Sequence, residues 1–310
     1  MTDRSRPRLE VDLAGVKLQN PVLTASGCFH YGKEFAPYMD LRRLGGVIVK
    51  SLSVKAWPGH PPPRGAETPS GMLNAIGLQN PGVATFVDRE LPWLVQRKVP
   101  VIASIVGHSV EEYIRVADRL RNAPGVVAIE VNISCPNLDD PSHMFSSDPD
   151  ATGAVIRGVR RVSSQPVFTK LSPDVTDIVE IARAAVRAGT HGLSVMNTAL
   201  GMAIDTESMR PKLSTFTGGL SGPAIKPIAI RCVYQVSRAF PDVPIIGQGG
   251  ISSGADVVEF MLAGASAVAI GTANFTDPTT SQRILDEFVD YLVRKRVKDV
   301  SQLRRMLKEG

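Results

Sequence analysis

Ile245-Ile246-Gly247-Gln248-Gly249-Gly250-Ile251, a helical pattern over 255–263, and then Ala267-Val268-Ala269-Ile270-Gly271-Thr272 form one strand–helix–strand unit. Both apolar runs end in glycine where the chain must turn. Glycines at consecutive strand tips let backbone N–H groups close on a phosphate, with help from a helix N-terminus, here predicted near Ser253. Such a pair is the phosphate cradle expected of the last two strands of a barrel. A dinucleotide-fold reading of Gly247-Gln248-Gly249 fits less well. Ser252 stands where the third glycine belongs, and the unit lies late in the chain rather than first.

The same alternation extends outward to both ends. Continuous apolar, β-branched runs predict buried parallel strands over 21–26, 46–51, 99–106, 126–134, 166–171, 192–197, 243–247 and 267–271. Helical periodicity fills 110–121, 175–188, 227–240 and 255–263. Eight strand–helix repeats in about 250 residues point to the α/β class and a (β/α)8 TIM barrel. Leu9–Leu13 and Val16–Gln19, flanking Ala14-Gly15, predict an N-terminal β-hairpin across the barrel bottom. Two long insertions, 54–82 and 199–225, are expected to cap the C-terminal mouth. The first carries Trp57-Pro58-Gly59-His60-Pro61-Pro62-Pro63-Arg64 and is expected to form no regular element. No repeat or linker divides the chain, so a single domain over 1–310 is expected.

At 310 residues and 43% hydrophobic side chains, the chain can bury a large core. Its three cysteines, Cys28, Cys135 and Cys232, are far apart and odd in number, which suits a reducing cytosol. Their spacing, and that of the five histidines, predicts no metal or iron–sulfur site within this chain. Met1-Thr2-Asp3-Arg4-Ser5-Arg6 is polar and leads into no long apolar stretch, so a soluble, cytoplasmic protein without a membrane anchor is expected. The net charge is +5, but the basic residues are dispersed, which argues against a nucleic-acid partner.

Chemistry in such a barrel gathers at the strand tips. Lys50 and Lys170 each end an apolar run, and a cation there needs an anionic partner. Two cations beside a phosphate cradle suit a ring that gains negative charge during turnover, reduced flavin being one candidate. Asn74, Asn132, Asn137 and Asn197 bring carboxamides that both donate and accept, matching the alternating edge of a pyrimidine or lactam. Cys135 lies beyond its apolar run in Asn132-Ile133-Ser134-Cys135-Pro136-Asn137, where a thiolate could accept a substrate proton. Cys28, in a post-strand turn, and Cys232, on a helix, lack that setting.

Together these motifs resemble the class 1 dihydroorotate dehydrogenases, flavoproteins of pyrimidine biosynthesis. The resemblance runs through Thr24-Ala25-Ser26-Gly27, Val49-Lys50-Ser51, Pro63-Arg64, Asn132 to Asn137, Gly249-Gly250 and Gly271-Thr272. Gly71 to Gly82 and Gly218 to Pro227 are similar to subclass B, the catalytic subunit of NAD-linked enzymes. The resemblance implies FMN held by Ser26, Lys50, Ser51, Asn132, Lys170, Gly222, Gly249, Gly250, Gly271 and Thr272. The resemblance also implies flavin contacts at Ser104 and Met196, where the family more often has asparagine and isoleucine. It implies a pyrimidine ring bounded by Asn74, Ala75, Ile76, Gly77, Leu78, Asn132, Asn137, Asn197 and Thr198, with Lys50 serving its carboxylate. Cys135 falls on the catalytic base, and Lys50 and Lys170 join it as catalytic cations. The implied assembly is a homodimer core plus a partner subunit carrying FAD and a [2Fe–2S] centre. A fumarate-linked subclass A enzyme would share the site but work alone, a dihydropyrimidine dehydrogenase would reduce uracil or thymine, and a barrel-fold RNA-binding module is the non-enzymatic alternative.

Overall fold

The computed structural model describes residues 7–133 and 144–308. In chain order the strands are β1 (Val11–Leu13), β2 (Val16–Leu18), β3 (Val22–Thr24), β4 (Gly46–Ile48), β5 (Gly65–Thr68), β6 (Gly71–Asn74), β7 (Val101–Ile105), β8 (Val126–Asn132), β9 (Val167–Leu171), β10 (Gly192–Val195), β11 (Ala199–Gly201), β12 (Ile204–Asp205), β13 (Arg210–Pro211), β14 (Gly218–Ser221), β15 (Ile245–Gln248) and β16 (Ala267–Ile270). The helices are α1 (Val83–Thr85), α2 (Leu91–Gln96), α3 (Val110–Leu120), α4 (Pro149–Val162), α5 (Ile178–Arg187), α6 (Lys226–Ala239), α7 (Gly254–Leu262), α8 (Ala273–Thr276) and α9 (Thr280–Arg294).

Eight of these strands, β3, β4, β7, β8, β9, β10, β15 and β16, close into a parallel barrel, and they are the eight expected from the apolar runs. β7, β9, β10, β15 and β16 are buried at every residue, as strands covered on both faces must be. Around them the helices lay apolar stripes on the barrel. α3 buries Tyr113, Val116, Ala117 and Leu120, a spacing of three and four residues that defines one helical face. Its start is set by Ser109, whose hydroxyl accepts the Glu112 N–H at 3.3 Å. The first crossover departs from the regular repeat. Between β3 and β4 the described chain has turns and a short 3-10 helix, Leu41–Arg43, in place of an α-helix.

β1 and β2 form the expected hairpin, with Val11 opposite Leu18. Ala14 and Gly15 take φ of 55° and 88°, the left-handed pair of a two-residue hairpin turn. At the opposite end, the two insertions do more than cap. The proline-rich half of 54–82 is irregular, but residues 65–74 form the β5–β6 hairpin, contrary to the expectation of no regular element. β6 also pairs with β14, and β14 with β11, so both insertions share one four-stranded antiparallel sheet. Proline density at 57–63 masks this hairpin in the sequence, because its strands lie just beyond it. A small second core of Leu73, Ala75 and Leu213 holds that sheet together. No helix among the described residues is long and apolar enough to cross a membrane.

Candidate active site

The mouth is built from strand ends whose side chains are polar but whose stems are buried. On β8, β9 and β10 the ladder places Asn132 beside Lys170 and Lys170 beside Ser194. Lys170 is 4% exposed, and its Nζ donates to Ser26 Oγ at 3.0 Å across the barrel. Asn132 Nδ2 donates to Ser51 Oγ at 3.2 Å, and Ser51 Oγ lies 2.9 Å from Ser104 Oγ. Tyr113 of α3 fixes that strand end from behind, its hydroxyl donating to the Asn132 carbonyl at 2.8 Å. Lys50, just past β4, is also buried, and a side chain at Gly27 would meet its Nζ at 3.7 Å. Two ammonium groups therefore flank the Ser26–Cys28 turn.

Cys28 belongs to this group, although a turn position alone gives no sign of it. Burial pushes its thiol above the usual range, opposed by the positive charges of Lys170 and Lys50 and by a hydrogen bond with Thr272. Its Sγ lies 3.3 Å from where a Gly271 side chain would begin. Gly271 and Thr272 are thus on the same rim as the lysines.

The remaining glycines draw three loops together. A side chain on Gly250 would come within 2.8 Å of the Gly222 carbonyl, and one on Gly222 within 2.7 Å of Gly71 Cα. Gly222, Gly249 and Gly250 have φ of 93°, 128° and 77°, conformations open to glycine but costly for other residues. The helix start expected near Ser253, that of α7, does not offer free amides. The start of α7 is closed by its own Asp256, whose Oδ2 accepts the N–H groups of Ser252 at 2.8 Å and Ser253 at 2.9 Å. Gly254 N–H goes to Glu287. Those amides serve the capping box and are not donors for a phosphate. Gly249, Gly250, Gly271 and Thr272 directly follow the tips of β15 and β16.

Asn74 and the Asn197–Thr198 segment both adjoin β14 of the capping sheet. Asn74 Nδ2 donates to the Gly219 carbonyl at 3.3 Å, and a side chain on Gly219 would collide with Thr198. Asn197 Oδ1 accepts the Thr198 N–H at 2.9 Å, while Asn197 N–H is held by the Leu171 carbonyl at the tip of β9. The 75–78 loop is pinned along its backbone. Ala75 N–H donates to the Arg64 carbonyl, the Ile76 carbonyl accepts from His60 N–H, and the Leu78 carbonyl accepts from Asn80 Nδ2. Gly77 packs so closely on His60 that a side chain there would clash. Met196 is buried, its N–H donating to the Gln248 carbonyl at 3.0 Å. Cys135 and Asn137 lie outside the described residues.

The dihydroorotate dehydrogenase family profile matches residues 8–292, nearly the whole barrel. This chain belongs to the dihydroorotate dehydrogenase family. It is 52% identical over 304 residues, covering 98% of this chain and 99% of its relative, to a Geotalea daltonii protein named dihydroorotate dehydrogenase B (NAD(+)), catalytic subunit. Relatives of the same name from Anoxybacillus flavithermus, 54% identical over 90% of this chain and 89% of the relative, and Halalkalibacterium halodurans, 52% over 94% and 97%, are similar along their lengths.

Within this dihydroorotate dehydrogenase barrel, two buried polar side chains are not among the residues expected from the sequence. Gln248 ends β15, with a side-chain Nε2 that finds no partner among the described residues. Glu130 sits inside β8, fully buried, with its Oε1 3.8 Å from Lys170 Nζ. The available signal is a carboxylate interrupting the apolar run 126–131.

Proposed function

We propose that this chain oxidises (S)-dihydroorotate to orotate in pyrimidine biosynthesis, using bound FMN, and passes the electrons to NAD through a partner subunit. The observation that carries this reading is the group of buried Lys170, Lys50, Ser51 and Asn132 with half-buried Ser26 at the mouth of a barrel whose full-length relatives bear the name of that enzyme. The residues suit FMN. Two buried ammonium groups fit a ring that becomes anionic, and Gly222 and Gly250 approach so closely that any side chain would fill the space between their loops. Ser26, Lys50, Ser51, Ser104, Asn132, Lys170, Met196, Gly222, Gly249, Gly250, Gly271 and Thr272 would hold it. When bound, the flavin supplies the two-electron acceptor for the hydrogen leaving C6 of the substrate.

The chain's own residues do the rest. Asn74, Asn132, Asn137, Asn197 and Thr198, with the backbone of residues 75–78, would orient the pyrimidine ring by its alternating carbonyl and N–H edge. Lys50 would bind the substrate carboxylate. Cys135, as thiolate, would take the proton from C5. Lys170 would stabilise negative charge as it develops. The partner subunit would carry FAD and a [2Fe–2S] centre around a homodimer of this chain in the cytosol, in keeping with the words "catalytic subunit" and "NAD(+)" in the relatives' names.

The test is spectroscopic. Chain purified with FMN should be yellow and should bleach anaerobically on adding dihydroorotate, but not dihydrouracil. Absence of bleaching by dihydroorotate, or bleaching by dihydrouracil instead, would overturn the substrate assignment.

A further inference from the structure

Glu130 is the least comfortable side chain in the barrel. It lies on β8 two residues before Asn132 and on the same face, opposite Ser104 and Phe168 in the neighbouring strands. It has no exposed surface, and neither Oε1 nor Oε2 accepts a hydrogen bond from the described residues. A buried carboxylate left this way is costly, and replacing it by an apolar residue would ordinarily be favourable. Among the described residues the one cation within 4 Å is Lys170, at 3.8 Å, too long for a hydrogen bond. The Lys170 ammonium instead leans toward Ser26 at 3.0 Å. Glu130 therefore faces the ammonium from below, through charge alone.

We infer that Glu130 is a positioning residue for Lys170 and sets how much positive charge the flavin meets. The inference rests on the FMN reading above. Bound FMN would accept two electrons and one proton as a hydride from C6 of dihydroorotate and so would gain one negative charge, while Cys135 would take the C5 proton. Before that step Lys170 is balanced by Glu130. A reduced flavin held by these residues would bring a second anion to the same ammonium, so Glu130 would oppose reduction and keep the bound flavin a better donor to the next carrier.

The experiment compares FMN-loaded wild type, Glu130→Gln and Glu130→Asp by equilibration with a redox dye of known potential. Glu130→Gln keeps shape and loses charge, whereas Glu130→Asp keeps charge and loses shape. Glu130→Gln should move the equilibrium toward reduced flavin about tenfold, roughly 30 mV for two electrons, and Glu130→Asp should stay near wild type. A merely structural role predicts the opposite ranking. A Glu130→Gln potential equal to wild type overturns the inference.

A second measurement holds even if Glu130→Gln fails to load FMN. In chain without added cofactor, Lys170→Met should lower the urea midpoint by stranding the carboxylate, and adding Glu130→Gln should recover part of that loss. Simple additivity of the two losses would also overturn the inference. Wild type that neither binds FMN nor bleaches with dihydroorotate would instead sink the functional reading, and the stability cycle would still report on the pair.

Discussion

Lys170 shows why a charged side chain can end a buried strand. Its stem is enclosed with the rest of β9, its ammonium reaches Ser26 Oγ, and Glu130 supplies the opposite charge. A cation so desolvated acts more strongly on a nearby developing anion than it would in water. The proton, by contrast, is assigned to a thiol. Cys135→Ala should retain FMN and orotate yet slow single-turnover reduction at least about a hundredfold, the low end of a general-base contribution. Stopped-flow absorbance with dihydroorotate checks this, and an undiminished rate would remove Cys135 from the chemistry. The other two thiols should be quiet. Burial pushes Cys28 and Cys232 upward, against Lys170 and Lys50 for the first and Arg231 for the second, so the reactive thiolate is scarce near neutral pH. Iodoacetamide at about pH 7.5 should label both more slowly than free cysteine, because burial disfavours the thiolate. Peptide mass mapping of the folded chain without added flavin would expose any prompt reaction at Cys28.

The turn between β15 and α7 illustrates how an element can be stabilised at the expense of an apparent binding site. Ser253 and Asp256 cap the helix reciprocally, and Lys226 Nζ donates to Asp256 Oδ1 at 2.7 Å and to Glu259 at 2.9 Å. Burial would raise the Asp256 carboxyl. The Lys226 hydrogen bond, the Ser252 N–H and the Ser253 side chain outweigh it, and the group ends below its ordinary range. Its folded value is therefore lower than its unfolded value of about 3.9, so its contribution is present above that pH and disappears as pH falls through the folded value. Asp256→Asn should be about 1–2 kcal/mol less stable than wild type at pH 7, by loss of charge-assisted hydrogen bonds. In urea titrations that gap should narrow below about pH 4. A gap unchanged between about pH 7 and pH 3 would show that the charge of Asp256 does not support the turn.

In the proposed function the assembled barrel carries one redox site and hands its electrons to a partner subunit. The Gly-rich turn with a dinucleotide flavour, Gly247-Gln248-Gly249-Gly250, ends a late barrel strand and leads into a helix start that Asp256 occupies. The purified chain should therefore reduce artificial dyes with dihydroorotate but not NAD. Co-expression with an FAD and [2Fe–2S] subunit should confer NAD reduction, followed at the NADH absorbance. Efficient NAD reduction by the lone chain, or robust fumarate turnover without any partner effect, would contradict the subclass B assignment.

The eight barrel strands, the bottom hairpin and the polar identity of the strand tips are all legible in the order of the residues. Each depends on burial pattern over a few consecutive positions, where β-branched apolar runs and glycine turns leave little choice. Glu130 is hidden because one acidic residue does not break an apolar run, and whether it is paired depends on a different strand. The β5–β6 hairpin is hidden because neighbouring prolines dominate its composition, and its partner β14 lies in the other insertion. Which tips touch is decided in three dimensions. Ser26 and Lys170 are 144 positions apart, and Asn74 and Gly219 are 145. Such contacts exist only once β16 pairs with β3 to close the ring and the two insertions share a sheet. Closure is a property of strand register and packing summed over the barrel, and no local stretch encodes it.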